Sequence, residues 1–228
     1  MIATMSPVEV LAPYDIDTYN AMPHIHFCGT QNLEEPVELL KLVITKHNMR
    51  HIVGVSRTHK HIDVQDGEGA ISRAVNGKEI VTEFKSLTET SRLIPYQFIL
   101  NENGWMPVAF WDAQAEGGDE IAVQFNKLIN APDFMKDVAM TLRSCPLGST
   151  VGLCLRFGDL VKGSETGGLL ETTNEDNKVQ RFAMPGPTAV NDNLYTTHWH
   201  WKEKVEGADD GYCTHCCHGM GCQYSCQH

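Results

Sequence analysis

No run of eighteen uncharged apolar residues occurs in the 228-residue chain, so a membrane-spanning helix is not expected. The first twenty residues lack a basic start followed by an apolar run, so no export signal is expected and a cytoplasmic location follows. Basic residues are scarce: 18 Lys and Arg stand against 29 Asp and Glu, giving a net charge of -11 and a pI near 5.4. A chain this acidic has little with which to displace counterions from phosphates, which argues against nucleic acid as a partner. No membrane surface is expected either, and the partner is left as an unidentified protein or small molecule. Phosphate loop, dinucleotide fingerprint and nucleophile elbow are all missing, and the Gly-rich stretch 163–168 lacks the lysine that a phosphate loop requires. Cysteine is sparse through most of the chain. Cys145 and Cys154 each sit among apolar residues with no base nearby in sequence, as buried inert thiols do.

The last sixteen residues reverse that scarcity. Cys213, His215, Cys216, Cys217, His218, Cys222, Cys226 and His228 are thiolate and imidazole donors, enough for two four-coordinate zinc ions. Cys213-x-x-Cys216 supplies a short chelating turn. The later spacings fit no named module, because the loop from Cys216 to Cys222 is too short for a ribbon or finger and Gly221 stands where a zinc knuckle needs histidine. A folded structural zinc site, a loose metal-binding tract and a disulfide knot are all compatible with such a terminus.

The remainder predicts an α+β body, residues 1–205, followed by a flexible link at 206–211 within a Cys/His-rich segment, residues 206–228. Asn32, Glu34, Glu35 and Pro36 open a helix over 33–48, with Val37, Leu40 and Ile44 on its core face and Asn48 as a left-handed stop. A strand is expected at 51–55. Asn76-Gly77 and Asn103-Gly104 each suit a type I′ turn, so 70–75 should pair with 78–84 and 94–100 with 105–111. Two helical stretches, 120–129 and 133–143, flank Pro132. Strands at 150–161, 179–184 and 194–202 complete a largely antiparallel sheet with two or three helices packed on it.

Three histidine pairs share one spacing: His24-x-His26 with Cys28 beyond, His59-x-His61 with Asp63 and Asp66 beyond, and His198-x-His200. On a strand, alternate residues share a face, so each pair can present two imidazoles to one ion, and His24, His26 and Cys28 can present three donors. Zinc, iron or copper would suit such a pair. Trp199 and Trp201 would then face the core while His198 and His200 face a metal or solvent.

The segment Thr58-His59-Lys60-His61-Ile62-Asp63 resembles the opening metal motif of the metallo-β-lactamase fold, which implies a metal-activated water. Val64 stands where that family places its next histidine, and 67–78 reads as a hairpin where the family has a helix. His59, His61 and Asp66 resemble a degenerate first cupin motif, implying a two-histidine, one-carboxylate iron centre, but Pro185-Gly186 and His198 miss the spacing of the second. Residues 40–67 are similar to an uncharacterised, mainly fungal family without assigned function. That resemblance implies one helix-strand-HxH unit, with His47, His51, His59 and His61 near one end.

The expected protein is thus a zinc-binding one with a structural site in its tail holding one or two ions. The alternative is a metal-dependent enzyme, a cupin-like oxygenase or a metallohydrolase, built on His59 and His61. Coordination number separates them, since a closed site uses four protein ligands and a catalytic one leaves a position for water.

Overall fold

A computed structural model describes residues 11–28, 32–90, 92–164, 169–185 and 195–201, with only the backbone of His26 and Tyr195, and the backbone of 212–218. It is a mixed α+β fold. The elements are α1 (Ile16–Asn20), α2 (Glu34–Lys46), β1 (Val53–Arg57), β2 (Glu68–Val75), β3 (Glu79–Ser86), β4 (Leu93–Asn101), β5 (Gly104–Asp112), α3 (Gly118–Ile129), α4 (Pro132–Ser144), β6 (Val151–Leu155), β7 (Leu170–Asn174), β8 (Val179–Ala183), β9 (Tyr195–Trp201) and β10 (Tyr212–His218). One sheet runs β10-β9-β1-β6-β4-β5-β2-β3-β8-β7. Its two end strands, β10 and β7, approach each other, so the sheet curls around an interior. Pairing is antiparallel except between β2 and β5, which run parallel. No helix among the described residues is long and apolar enough to cross a membrane.

Most elements follow from local chemistry. In α2 the Asn32 carboxamide oxygen accepts from the Glu34 N–H at 2.8 Å, and the fully buried Leu40 and Ile44 lie one turn apart. Asn48 adopts φ 55°, the left-handed stop expected there. Asn76 and Gly77, at φ 54° and 60°, supply the positive pair that a type I′ turn requires. The second hairpin differs. There only Gly104 has positive φ, at 122°, so Glu102 and Asn103 make the turn and Gly104 opens β5.

Other expectations are corrected. The strand expected to run from 150 to 161 ends at Leu155 and gives way to a 3-10 turn over Phe157–Leu160. β1 is displaced two residues toward the C-terminus, and the described residues form four α-helices where two or three were expected, because the short α1 is nucleated by Asp15, whose carboxylate accepts from the Thr18 N–H at 3.0 Å. His24, Ile25 and His26 form no strand, because Ile25–Phe27 is a 3-10 turn. The link at 206–211 lies outside the described residues. Tyr212–His218 pairs with β9, with Cys213 opposite His200 and His215 opposite His198.

Packing divides the molecule into two apolar regions that merge around the sheet. Outside the curl, α2 and α3 cover β1, β4 and β6 while α4 packs against both helices, and Phe98 stacks on Phe125 with rings 6.4 Å apart. Inside, Phe157 meets Tyr96 at 5.3 Å and Phe182 at 5.3 Å, both edge-on. An irregularity in β4 connects the regions. The β4–β5 register shifts between Pro95 and Gln97 and again between Gln97 and Phe98. Such a bulge re-aims side chains, so the consecutive Tyr96 and Gln97 both border the interior while Phe98 reaches the helices.

At Gly54 β1 lies tightly against β9, and any Cβ there would overlap the Trp199 carbonyl and the His200 ring. Gly54→Ala should therefore cost about 3 kcal/mol, or roughly 6–12 °C in Tm. Thermal unfolding of the variant measures this, and an unchanged Tm would show that β9 does not lie against β1 as described.

Candidate metal centre

The interior is polar along one line. Ser72, Thr82, Gln180 and Thr173 occupy paired positions on four successive strands, β2, β3, β8 and β7. The Ser72 hydroxyl contacts those of Thr82 at 2.7 Å and Tyr96 at 2.8 Å. At the other end of the row, the Thr173 hydroxyl lies 3.0 Å from His61 Nδ1. Burial pushes the Tyr96 phenol up, and the Ser72 and Thr82 hydroxyls only partly oppose it.

His59 and His61 follow β1 in a loop pinned on two sides. The Thr58 N–H donates to the Thr150 carbonyl at 2.8 Å, and Lys60 exchanges backbone bonds with Pro23 and Ile25 at 3.0 and 2.8 Å. The expected strand shrinks to a single bridge at Lys60. Even so, alternation across Lys60 brings the two rings within 4.8 Å, centroid to centroid. Their Nε2 atoms are 3.0 Å apart. Glu171 of β7 completes the group, with Oε1 2.5 Å from His61 Nε2 and 3.6 Å from His59 Nε2. The three donor atoms all lie within 4.8 Å of one another.

The outer atoms of each donor are also held. His59 Nδ1–H donates to the Arg57 carbonyl at 2.9 Å. Since a carbonyl only accepts, a neutral His59 presents its lone pair on Nε2, toward the other two donors. Glu171 Oε2 accepts from the Thr197 hydroxyl at 2.8 Å, and Oε1 accepts from the Gln180 amide. Metal-binding histidines and carboxylates are commonly oriented by such outer bonds, which fix tautomer and direction. A zinc ion with bonds of about 2.1 Å separates neighbouring ligand atoms by about 3.0 Å at right angles and about 3.4 Å at tetrahedral angles. Two of the three separations, 3.0 and 3.6 Å, are close to those values, while the 2.5 Å one is a hydrogen bond that must lengthen.

Charge favours the deprotonated ligands. Glu171 is fully buried. Burial alone would raise its carboxyl, but the His61 and His59 rings hold it well below the usual carboxylate range. Burial lowers the His61 ring, outweighing the pull of Glu171. A cavity bordered by all three donors, and also by Tyr96, Gln97 and His198, offers about 30 Å³ to the centre of a water-sized sphere. That is room for an ion and one or two small ligand atoms.

The other sequence-derived candidates divide clearly. Asp63 is mostly exposed and pairs with Lys60 at 2.6 Å, and Asp66 is exposed, so neither belongs to the centre. The motif-based choice of carboxylate is thereby corrected. His24 supports the loop from behind, its Nε2–H donating to the His61 carbonyl at 2.6 Å. Cys28 is buried, with its thiol pushed up by burial. The backbone of His26 shares the 3-10 turn with Ile25 and Phe27, and its side chain lies outside the described residues. His47 bonds Asp137 of α4 at 2.8 Å, and His51 is exposed, so the proposed gathering of four histidines is not observed. Cys145 and Cys154 are buried free thiols, as expected.

His198 and His200 do lie on a strand, and both are buried, as are Trp199 and Trp201 on its other face. His198 borders the cavity without joining the three donors. Its Nε2 accepts from the Gln97 amide at 2.9 Å, and its Nδ1 lies 3.1 Å from the Thr197 hydroxyl. Cys222, Cys226 and His228 lie outside the described residues. So do the side chains of Cys213, His215, Cys216, Cys217 and His218.

Glu171 was missed in the sequence. The signal was a five-residue polar cluster, Asn174 to Lys178, preceding the β8 strand, which marks a hairpin and places a strand over 170–174. Comparison with protein-family models, with curated proteins and with solved structures returns no match.

Both depressed pKa values have one sign in the metal-free protein: the unfolded chain binds more protons than the folded one, so stability rises with pH. The His61 contribution should be complete above its ordinary value of 6.5 and decline below it. That of Glu171 should decline as pH falls from 4.5 through its lower folded value. Urea unfolding of chelator-treated protein at successive pH values checks this, and stability independent of pH between 7.5 and 4 would contradict it. Glu171→Ala should cost about 3–5 kcal/mol at neutral pH by stripping a buried network of its acceptor.

Proposed function

We propose that this chain is a metalloprotein whose working centre is His59, His61 and Glu171 within the curled sheet. The observation that carries this is the convergence of two imidazole Nε2 atoms and one carboxylate oxygen, buried together, with their outer atoms held by Arg57, Thr173 and Thr197. Three protein ligands bordering a cavity leave coordination positions open, which is the mark of a catalytic rather than a structural ion. The ligand set suits iron(II) or zinc, and either would supply a Lewis acid that lowers the pKa of bound water. The protein is accordingly read as a metal-dependent enzyme, with Glu171 replacing the aspartates suggested by the HxH motif.

A second reading keeps a structural zinc site in the C-terminal segment. It is supported by the density of donors from Cys213 to His228. The two sites are compatible, and metal stoichiometry distinguishes them.

Elemental analysis of full-length protein purified under reducing conditions provides the test. The wild type should carry at least one ion, His59→Ala/His61→Ala and Glu171→Gln should each lose one equivalent, and Cys213→Ser/Cys216→Ser should keep that equivalent. Loss of all metal in the cysteine variant, with full retention in Glu171→Gln, would assign the metal to the tail and overturn the interior centre.

A further inference from the structure

We infer that the open side of this centre binds one small monoanion of one to three heavy atoms, of the hydroxide, azide or cyanate class. The inference rests on the proposed metal reading. Charge gives the sign of the ligand. A divalent ion bound by two neutral imidazoles and one carboxylate keeps a net charge of about +1. Among the described residues that line the cavity, Glu171 is the one carboxylate, and the charge of Lys60, which also lines it, is matched by Asp63 at 2.6 Å. In a buried, low-dielectric setting an uncompensated positive centre strongly favours a single anion, and a second negative charge would be repelled.

Size limits the ligand further. The cavity offers about 30 Å³ to the centre of a water-sized sphere, and the ion itself takes part of it. Met22 and Phe84, both buried, close its apolar side. The covering segment is anchored, since the Asn20 side chain bonds both the N–H and the carbonyl of Val64, at 3.0 and 2.9 Å. A carboxylic acid with a ring would have to displace this cover. Polarity orients what enters. The β4 bulge turns the Gln97 amide into the cavity, where it now donates to His198. It is placed to donate to an anion on the ion instead.

The test uses full-length protein loaded with Co(II), whose visible spectrum reports its coordination. Azide should change that spectrum saturably, and benzoate at equal concentration should not. Gln97→Ala should weaken azide about tenfold, the worth of one hydrogen bond to a charged group, while Co(II) remains bound. Met22→Ala should admit benzoate. A spectrum indifferent to azide in the loaded wild type would overturn the inference, and so would benzoate binding as tightly as azide. Failure of the protein to take up Co(II), or uptake undiminished in Glu171→Gln, would instead remove the metal reading and this inference with it.

Discussion

The buried carboxylate of Glu171 is the constraint around which the interior is organised. An unpaired carboxylate in an apolar interior costs far more than a fold can tolerate. Glu171 is fully buried, and His61, Gln180 and Thr197 all converge on it from different parts of the chain. Those partners lie on the loop after β1, on β8 and on β9. The carboxylate therefore ties together segments that are distant in sequence but adjacent once the sheet curls. Replacement by a hydrocarbon would fill the space with less demand for geometry, so retention of a charge here points to use of that charge.

Curling and chemistry are linked through the same strands. β7 is an end of the sheet, and only when it approaches β10 does Glu171 come to the side where β1 delivers the histidines. The polar row from Ser72 to Thr173 crosses four strands and meets His61 at its end, so the alignment of β2, β3, β8 and β7 also sets a ring orientation. On the opposite wall the β4 bulge sends Gln97 inward and Phe98 outward, which serves the cavity and the helical layer with two consecutive residues.

Much of this architecture was legible in the sequence. The helical periodicity of Val37, Leu40 and Ile44, the Asn76-Gly77 turn and the pairing of 94–100 with 105–111 are local signals, and local chemistry decides them. The proximity of His59 and His61 was legible for the same reason, since alternation survives even across one bridged residue. Glu171 was not, because its role depends on contacts 110 residues away in sequence with His61. Asp63 and Asp66 were attractive only through closeness in the chain, and both lie exposed, Asp63 paired with Lys60. The strand expected at His24 to His26 did not form because three residues of 3-10 turn replace strand alternation.

X-ray absorption at the metal edge, applied to protein in which Cys213, Cys216, Cys217, Cys222 and Cys226 are all replaced by serine, reads the interior centre without the tail thiolates. Such protein should retain an ion, with a first shell of nitrogen and oxygen at about 2.0–2.2 Å and imidazole scattering from two rings. Loss of the ion from this protein, together with a sulfur shell near 2.3 Å in the wild type, would contradict an interior metal centre.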